Sequence, residues 1–165
     1  MADADVLPFE FTNFAETLGV FLDEIDKLYE GTKKKYPETP SLTLGKLREP
    51  LQKLSAAAES YEAALAAAVS GDGGRDFSAA NAVLRKVEQA MGRPEGLPEP
   101  RGWYRHQIYA PGFYTGYGVK TIPGIREAVE QRDWKTAKRQ IDVIKDVFKT
   151  VTKRIRAAEK ALGGP

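Results

Sequence analysis

Apolar residues recur along this chain at alternating steps of three and four. Phe11, Phe14, Leu18, Phe21, Ile25 and Leu28 form one such run, and Leu51, Leu54, Ala58, Tyr61, Leu65 and Ala68 a second. A shorter third run is Phe77, Ala80, Leu84, Val87 and Met91. The longest is Trp134, Ala137, Ile141, Ile144, Phe148, Val151, Ile155, Ala158 and Leu162. This alternation lays one apolar stripe along each α-helix. Four striped helices bury their stripes against one another, so the expected fold is all-α, an up-down four-helix bundle.

The boundaries agree with this reading. Asn13 and Glu16 have the spacing of a capping box, with Phe11 just ahead. Pro50 suits the first turn of a second helix. Asp76 is placed to cap the third helix and Asp133 the last. A short extra helix is expected at Gly124–Gln131. The two prolines of "KKKYPETPSLTLGKLRE" place a loop between the first two helices.

Between Gly92 and Pro123 roughly 30 residues lack helical periodicity, and a loop of that length inside a compact domain is usually functional or disordered. Within it, "WYRHQIYAPGFYTGYGVKTIPG" (103–124) concentrates Trp103, Tyr104, Tyr109, Phe113, Tyr114 and Tyr117 around the only histidine, His106. Such aromatic content is foreign to disordered segments. The expected architecture is therefore one domain over residues 1–165, with a long ordered loop before the last helix. Trp103–Pro111 is expected to pack on the bundle, with Gly112–Lys120 free to face something else.

Catalytic chemistry is hard to place in this composition. The chain of 165 residues has no cysteine, which removes disulfides, thiolate ligands and thiol nucleophiles. His106 stands alone beside Arg105, so no metal site is expected and both are read as structural. Asp23, Glu24 and Asp26 lack the Glu-x-x-His partners of bundle iron sites and read as a solvated face. The glycines of "GDGG" (71–74) follow a helix rather than a strand, which argues against a phosphate loop. A formal charge of +2 gives no footprint for nucleic acid. No apolar run approaches the ~20 residues of a membrane span. The start "MADADVLPFEF" lacks the basic-then-apolar order of a signal peptide and, with the closing "LGGP", reads as the edge of an excised segment. Two classes of function remain: an interaction module, or one part of an enzyme whose chemistry lies elsewhere.

The loop carries a resemblance that separates these classes. "WYRHQIYAPGFYTGYGVKTIPGIREAVEQ" resembles the C-terminal helical domain of the glutamate carboxypeptidase II and transferrin receptor family. "DADVLPFEFTNFAETL" is similar to that domain's start and "DWKTAKRQIDVIKDVF" to its last helix. Tyr36–Glu49 looks shorter than in family members, as if a loop had been trimmed. The resemblance implies a non-catalytic homodimerisation domain from a zinc-dependent peptidase, a microbial parent being expected. Both zinc ions and the general base would lie in a separate peptidase domain, so this chain is expected to bind no cofactor and hydrolyse nothing. Its partners would be a second copy and the peptidase domain. The loop would complete the parent's substrate pocket. Glutamate-releasing members carry Lys-Tyr there, and this chain has Gly116 and Tyr117. The missing cation weakens the case for a glutamate substrate. Arg105, His106 and Tyr109 would tie the loop to the bundle, and Pro123-Gly124 would turn it into the next helix. A secreted or periplasmic parent is compatible with the resemblance, which leaves the compartment open. The alternative is a stand-alone or engineered helical scaffold for protein binding.

Overall fold

The computed structural model describes residues 5–71, 75–114, 116 and 118–163. It is mostly helical: α1 (Thr12–Lys35), α2 (Arg48–Val69), α3 (Ser78–Leu84), α4 (Pro123–Glu130) and α5 (Trp134–Ala161). One small antiparallel hairpin joins β1 (Tyr109–Pro111) and β2 (Val119–Thr121), pairing Tyr109 with Thr121 and Pro111 with Val119. Among the described residues, no helix is long and apolar enough to cross a membrane.

The long helix α5 organises the core. Ala137, Ile141, Ile144, Phe148, Val151, Ile155, Ala158 and Leu162 are all buried, as its stripe predicts, while Trp134 is half-buried. Its most extensive packing is with α2, followed by α4 and α3. Hydroxyl Oγ of Ser60 donates to Glu159 (2.5 Å), while Pro50 and Lys53 share a groove with Lys149 and Lys153. The helices α2 and α5 therefore run parallel. This parallel pair is packed directly, one helix on the other.

Two expectations are corrected here. The buried line of α1 is Phe11, Ala15, Leu18, Leu22, Ile25 and Tyr29, with Phe14, Phe21 and Leu28 half-buried beside it. The stripe is wide enough for two neighbouring lines, and periodicity does not choose between them. The third run is not one helix: α3 ends at Leu84, and Glu88–Met91 is a 3-10 turn. Phe77, Ala80, Leu84, Val87 and Met91 are nevertheless all buried. Three-residue hydrogen bonds replace the α pattern from Lys86 onward (Lys86 N to Val83 O, 2.9 Å; Val87 N to Leu84 O, 3.1 Å). Periodicity reported the buried face, which both helix types can present.

Helix caps divide in the same way. Asp133 caps α5 as read from sequence, accepting from the Thr136 N–H (3.0 Å), whereas the N-cap of α3 is Phe77 and Asp76, one residue ahead of it, accepts from the Ser78 N–H (2.8 Å). The Asn13–Glu16 box does not form, because α1 starts one residue before Asn13. Its first N–H groups are met from α2 instead. Glu62 Oε1 accepts from the N–H of Phe11 (2.7 Å) and of Thr12 (2.8 Å), and both its oxygens accept from the Thr12 hydroxyl. The short 36–43 connection folds back on α1: the Tyr29 hydroxyl donates to Pro40 O and accepts from the Leu42 N–H, each at 3.0 Å.

Candidate functional site

The connection from Gly92 to Ile122 is built in two parts. The first is a closed lobe. Arg93 N–H donates to Arg105 O (2.9 Å), Leu97 N–H to Tyr104 O (2.9 Å) and Gln107 N–H to Met91 O (3.0 Å). Gly96 has φ +68, and an added Cβ would overlap the Gly102 carbonyl. Only glycine accommodates both the left-handed backbone and that approach.

His106 sits where this lobe meets the hairpin. Its Nδ1 accepts from the N–H groups of Ile108 (3.3 Å) and Tyr109 (3.1 Å). Its Nε2 lies 3.1 Å from Glu88 Oε1. With Nδ1 accepting two backbone N–H groups, Nε2 is the nitrogen turned toward the Glu88 carboxylate. The imidazole stacks on Tyr109 at 5.9 Å and 22°, and the Tyr109 ring meets Phe21 of α1 edge-on at 5.7 Å. Burial, helped by the Glu88 charge, pushes the Tyr109 phenol above its ordinary pKa. Both imidazole nitrogens are thus engaged within the fold. Among the described residues no three His, Cys, Asp or Glu side chains gather as metal ligands would.

The second part is the hairpin and its tip. Gly112 N–H donates to Gly118 O (2.8 Å) and Gly116 N–H to Gly112 O (3.2 Å). Gly116 has φ +60, with open space where a Cβ would stand. Tyr117 lies outside the described residues. Around the tip the apolar surface faces outward: Tyr114 is 76% exposed, Val119 70% and Phe113 40%. Trp103 is 74% exposed, so the expectation that Trp103–Pro111 packs wholly on the bundle needs correction. Ile108 and Ala110 are the residues of that stretch that anchor it in the interior, beside a buried Gln107.

A pair that the sequence did not single out fixes the hairpin to α4. Arg101 donates to Pro111 O (2.7 Å) and pairs with the Glu127 carboxylate. The other Glu127 oxygen accepts from the Phe113 N–H (2.8 Å), and the Arg101 guanidinium lies 5.4 Å over the Phe113 ring. Both side chains are largely buried, at 14% and 8% exposure. One signal was available in the sequence: Glu127 follows Gly124 by three residues and precedes Ala128, on the inward side of α4.

The return into α4 is equally constrained. Ile122 is fully buried at φ 46, ψ 55, and its N–H donates to Ile108 O (2.7 Å). A β-branched residue in this left-handed region is an outlier. Pro123 opens the helix, as expected. Gly124 follows in the first turn of α4, and an added Cβ there would overlap Gln140 Oε1 of α5. The glycine is there for close approach between α4 and α5.

Arg105 is exposed and contributes its backbone carbonyl, which accepts from both Arg93 N–H and Gln107 Nε2 (2.8 Å). The acids of α1, read as a solvated face, are paired across helices. Arg48 of α2 binds Asp23 (2.7 Å) and Asp26, and Arg126 of α4 binds Glu24 (2.5 Å).

Residues 42–156, from the approach to α2 through most of α5, match the family described as transferrin receptor-like dimerisation domain. The chain belongs to that family. This transferrin receptor-like dimerisation domain is 26% identical over 164 residues to a probable glutamate carboxypeptidase of Arabidopsis thaliana, LAMP1. It is 27% identical over 131 residues to a probable glutamate carboxypeptidase of Arthroderma benhamiae. These matches cover 99% and 79% of the chain but 22% and 17% of the relatives. The domain thus spans about a fifth of the length of the peptidases it resembles.

Proposed function

We propose that this domain is a non-catalytic homodimerisation domain of a glutamate carboxypeptidase-like metallopeptidase, and that its aromatic hairpin docks on the peptidase domain and closes the substrate pocket. The observation that carries the reading is the combination of family membership with an outward-facing aromatic tip. Trp103, Phe113 and Tyr114 expose apolar surface that the helices do not use, while Arg101 and Glu127 hold its base in place. Exposed aromatics on a fixed scaffold are what a protein interface needs. Zinc, the general base and the nucleophilic water belong in this reading to the peptidase domain. Within the chain, Arg105, His106, Tyr109, Pro123 and Gly124 act as scaffold. Gly116 and Tyr117 are the positions that would meet substrate, and glycine in place of lysine points away from a C-terminal glutamate.

The deciding experiment is molar mass in solution by light scattering at micromolar concentration. A value near twice 18.2 kDa, the closed two-fold assembly commonest among homo-oligomers, supports the reading. A monodisperse monomer would remove the homodimer from it. Peptidase assays with added zinc are expected to stay at background, and zinc-dependent turnover would refute the non-catalytic assignment.

A further inference from the structure

Charge is distributed very unevenly over this nearly neutral chain. The first 30 residues hold eight carboxylates and one lysine, whereas Trp134–Ala161 holds nine cations and three carboxylates. The cations of α5 include Lys145, Lys149 and Lys153, spaced by four and followed by Arg156. Like charges at that spacing lie on one helix face and oppose helix formation in isolation. Together with Lys46 and Lys53 they rim a groove of about 710 Å³ between the first turns of α2 and the middle of α5. Its floor includes Pro50 and Thr152, both buried. The run from Lys145 to Arg156 covers ~16 Å of helix at 1.5 Å per residue, about three turns. Among the described residues lining the groove Glu49 is the single carboxylate, and it is occupied by Lys53 (2.6 Å), while Asp146 beside the groove stands 3.9 Å from Lys149.

The outer face of α1 has the opposite character. Val20 is the large apolar side chain exposed there among the described residues, at 55%. Glu16, Asp23 and Glu24 stand four residues before, three after and four after it, so they surround it on the helix surface. Asp23 and Glu24 remain about half exposed although each has an arginine partner. An apolar knob ringed by acids on α1 thus matches an apolar groove ringed by bases on α2 and α5.

Both features border the start of α2. Arg48 reaches back to Asp23 and Asp26, while its successors Glu49, Pro50 and Lys53 line the groove. Knob and groove are therefore neighbours across the width of one helix. A two-fold axis passing between them lets each copy give its knob and receive the other's, the self-complementary arrangement that closes a dimer.

We propose that the groove between α2 and α5 receives the acidic face of α1 around Val20 from a second copy of this chain. The inference rests on the homodimer reading above and names the faces that make it. Two variants test it separately: Lys149→Glu with Lys153→Glu, and Glu16→Lys with Val20→Lys. All four sites are surface positions, and circular dichroism checks that each variant keeps its helix. Each pair alone is expected to give a monomer by light scattering where the parent chain is a dimer. The quadruple variant, with charges exchanged on both faces, is expected to dimerise again. Dimer dissociation of the parent chain is expected to increase by about tenfold or more between low and high salt, as charge-complementary contacts are screened. Dimers that survive both double variants would overturn this face assignment while leaving dimerisation intact. A parent chain that is monomeric at every concentration would overturn both. A monomeric parent chain that binds a double-stranded DNA probe would assign the groove to a different occupant and refute the proposal.

Discussion

Glu62 offers the sharpest test of how this fold is closed. Its carboxylate lies on α2, 50 residues away in sequence from Thr12, yet it satisfies the first N–H groups of α1 and the Thr12 hydroxyl. Loss of a helix cap costs about 0.5–2 kcal/mol, and this one is charged and makes several bonds at once. We expect Glu62→Ala near the top of that range, about 2 kcal/mol. For a chain of this length 1 kcal/mol moves Tm by ~2–4 °C, so the drop should be ~4–8 °C. Asn13→Ala, which removes the cap suggested by sequence spacing, should move Tm by less than about 2 °C. The pH dependence adds an independent readout. Desolvation raises the Glu62 pKa, but hydrogen bonds from the Thr12 backbone, the Thr12 hydroxyl and the Phe11 backbone outweigh it and hold it below the usual value of 4.5. A depressed folded-state pKa means the contribution is complete above the unfolded value and fades as pH falls through the folded one. The gap between parent chain and Glu62→Gln should therefore narrow on acidification below pH 4.5. Thermal melts by circular dichroism between pH 3 and 7 measure both effects. An unchanged Tm for Glu62→Ala, or an equal loss for Asn13→Ala, would refute the cross-helix cap.

Other sites give shorter tests. Gly124→Ala places a methyl group into Gln140 Oε1 in a buried contact, and overpacking of that kind should cost about 1–3 kcal/mol, read from the urea midpoint. Gln140→Ala in the same chain should recover part of it. Arg101→Met leaves the Glu127 carboxylate buried without its partner, which typically costs ~3–5 kcal/mol, and should open residues 98–113 to limited proteolysis before global unfolding. Undiminished protease resistance would show that the pair does not hold the hairpin. Gly116→Lys places a side chain in open space at φ +60, so its cost should be the backbone term alone, ~1–2 kcal/mol. Tyr61→Phe removes a buried hydroxyl that has no hydrogen-bond partner among the described residues and should leave stability unchanged or raise it by up to about 1 kcal/mol. Burial, with Glu62 adding to it, pushes that phenol up to about 12. The unfolded chain therefore ionises first as pH rises above 10, and Tyr61→Phe should flatten the resulting alkaline loss in melts from pH 9 to 11.

The sequence made helices legible to the degree that each buries a single stripe. The α5 stripe was readable almost residue by residue because that helix packs on α2, α3 and α4 along one continuous face. In α1, Phe14 and Leu18 compete with Ala15 and Leu18 as the inward line, and residue size pointed to the wrong one. Bonds made by local side chains at helix starts, Asp76 and Asp133, were visible because three or four consecutive residues contain the whole motif. The cap made by Glu62 was not, because its partners meet only after α1 and α2 pack. The loop shows the same division. His106 could be read as structural from its isolation, and its bonds from Ile108 and Tyr109 are local, but Glu88 reaches it only when the lobe closes. Arg101 and Glu127, which anchor the hairpin, are separated by 26 residues, so the inward position of Glu127 on α4 did not name its partner.

The base of the hairpin collects costs that the helices alone would not require. Ile122 holds a left-handed backbone although it is β-branched, and strain of this kind, about 1–3 kcal/mol, persists only where the surroundings over-determine it. Here they do: its side chain is fully buried, its N–H is bound to Ile108, and Gly124 lets α4 sit directly on Gln140. On the other side the largely buried Arg101–Glu127 pair holds the Pro111 carbonyl and the Phe113 N–H. These constraints set the direction in which β1 and β2 leave the domain, and with it the position of the exposed rings of Phe113 and Tyr114. A loop ordered before it meets a partner loses less entropy on docking. The strain at Ile122 and the buried Arg101–Glu127 pair are thus intelligible as the means by which a segment without helical periodicity keeps one direction. That is the property a loop needs if it is to complete a site formed by another domain.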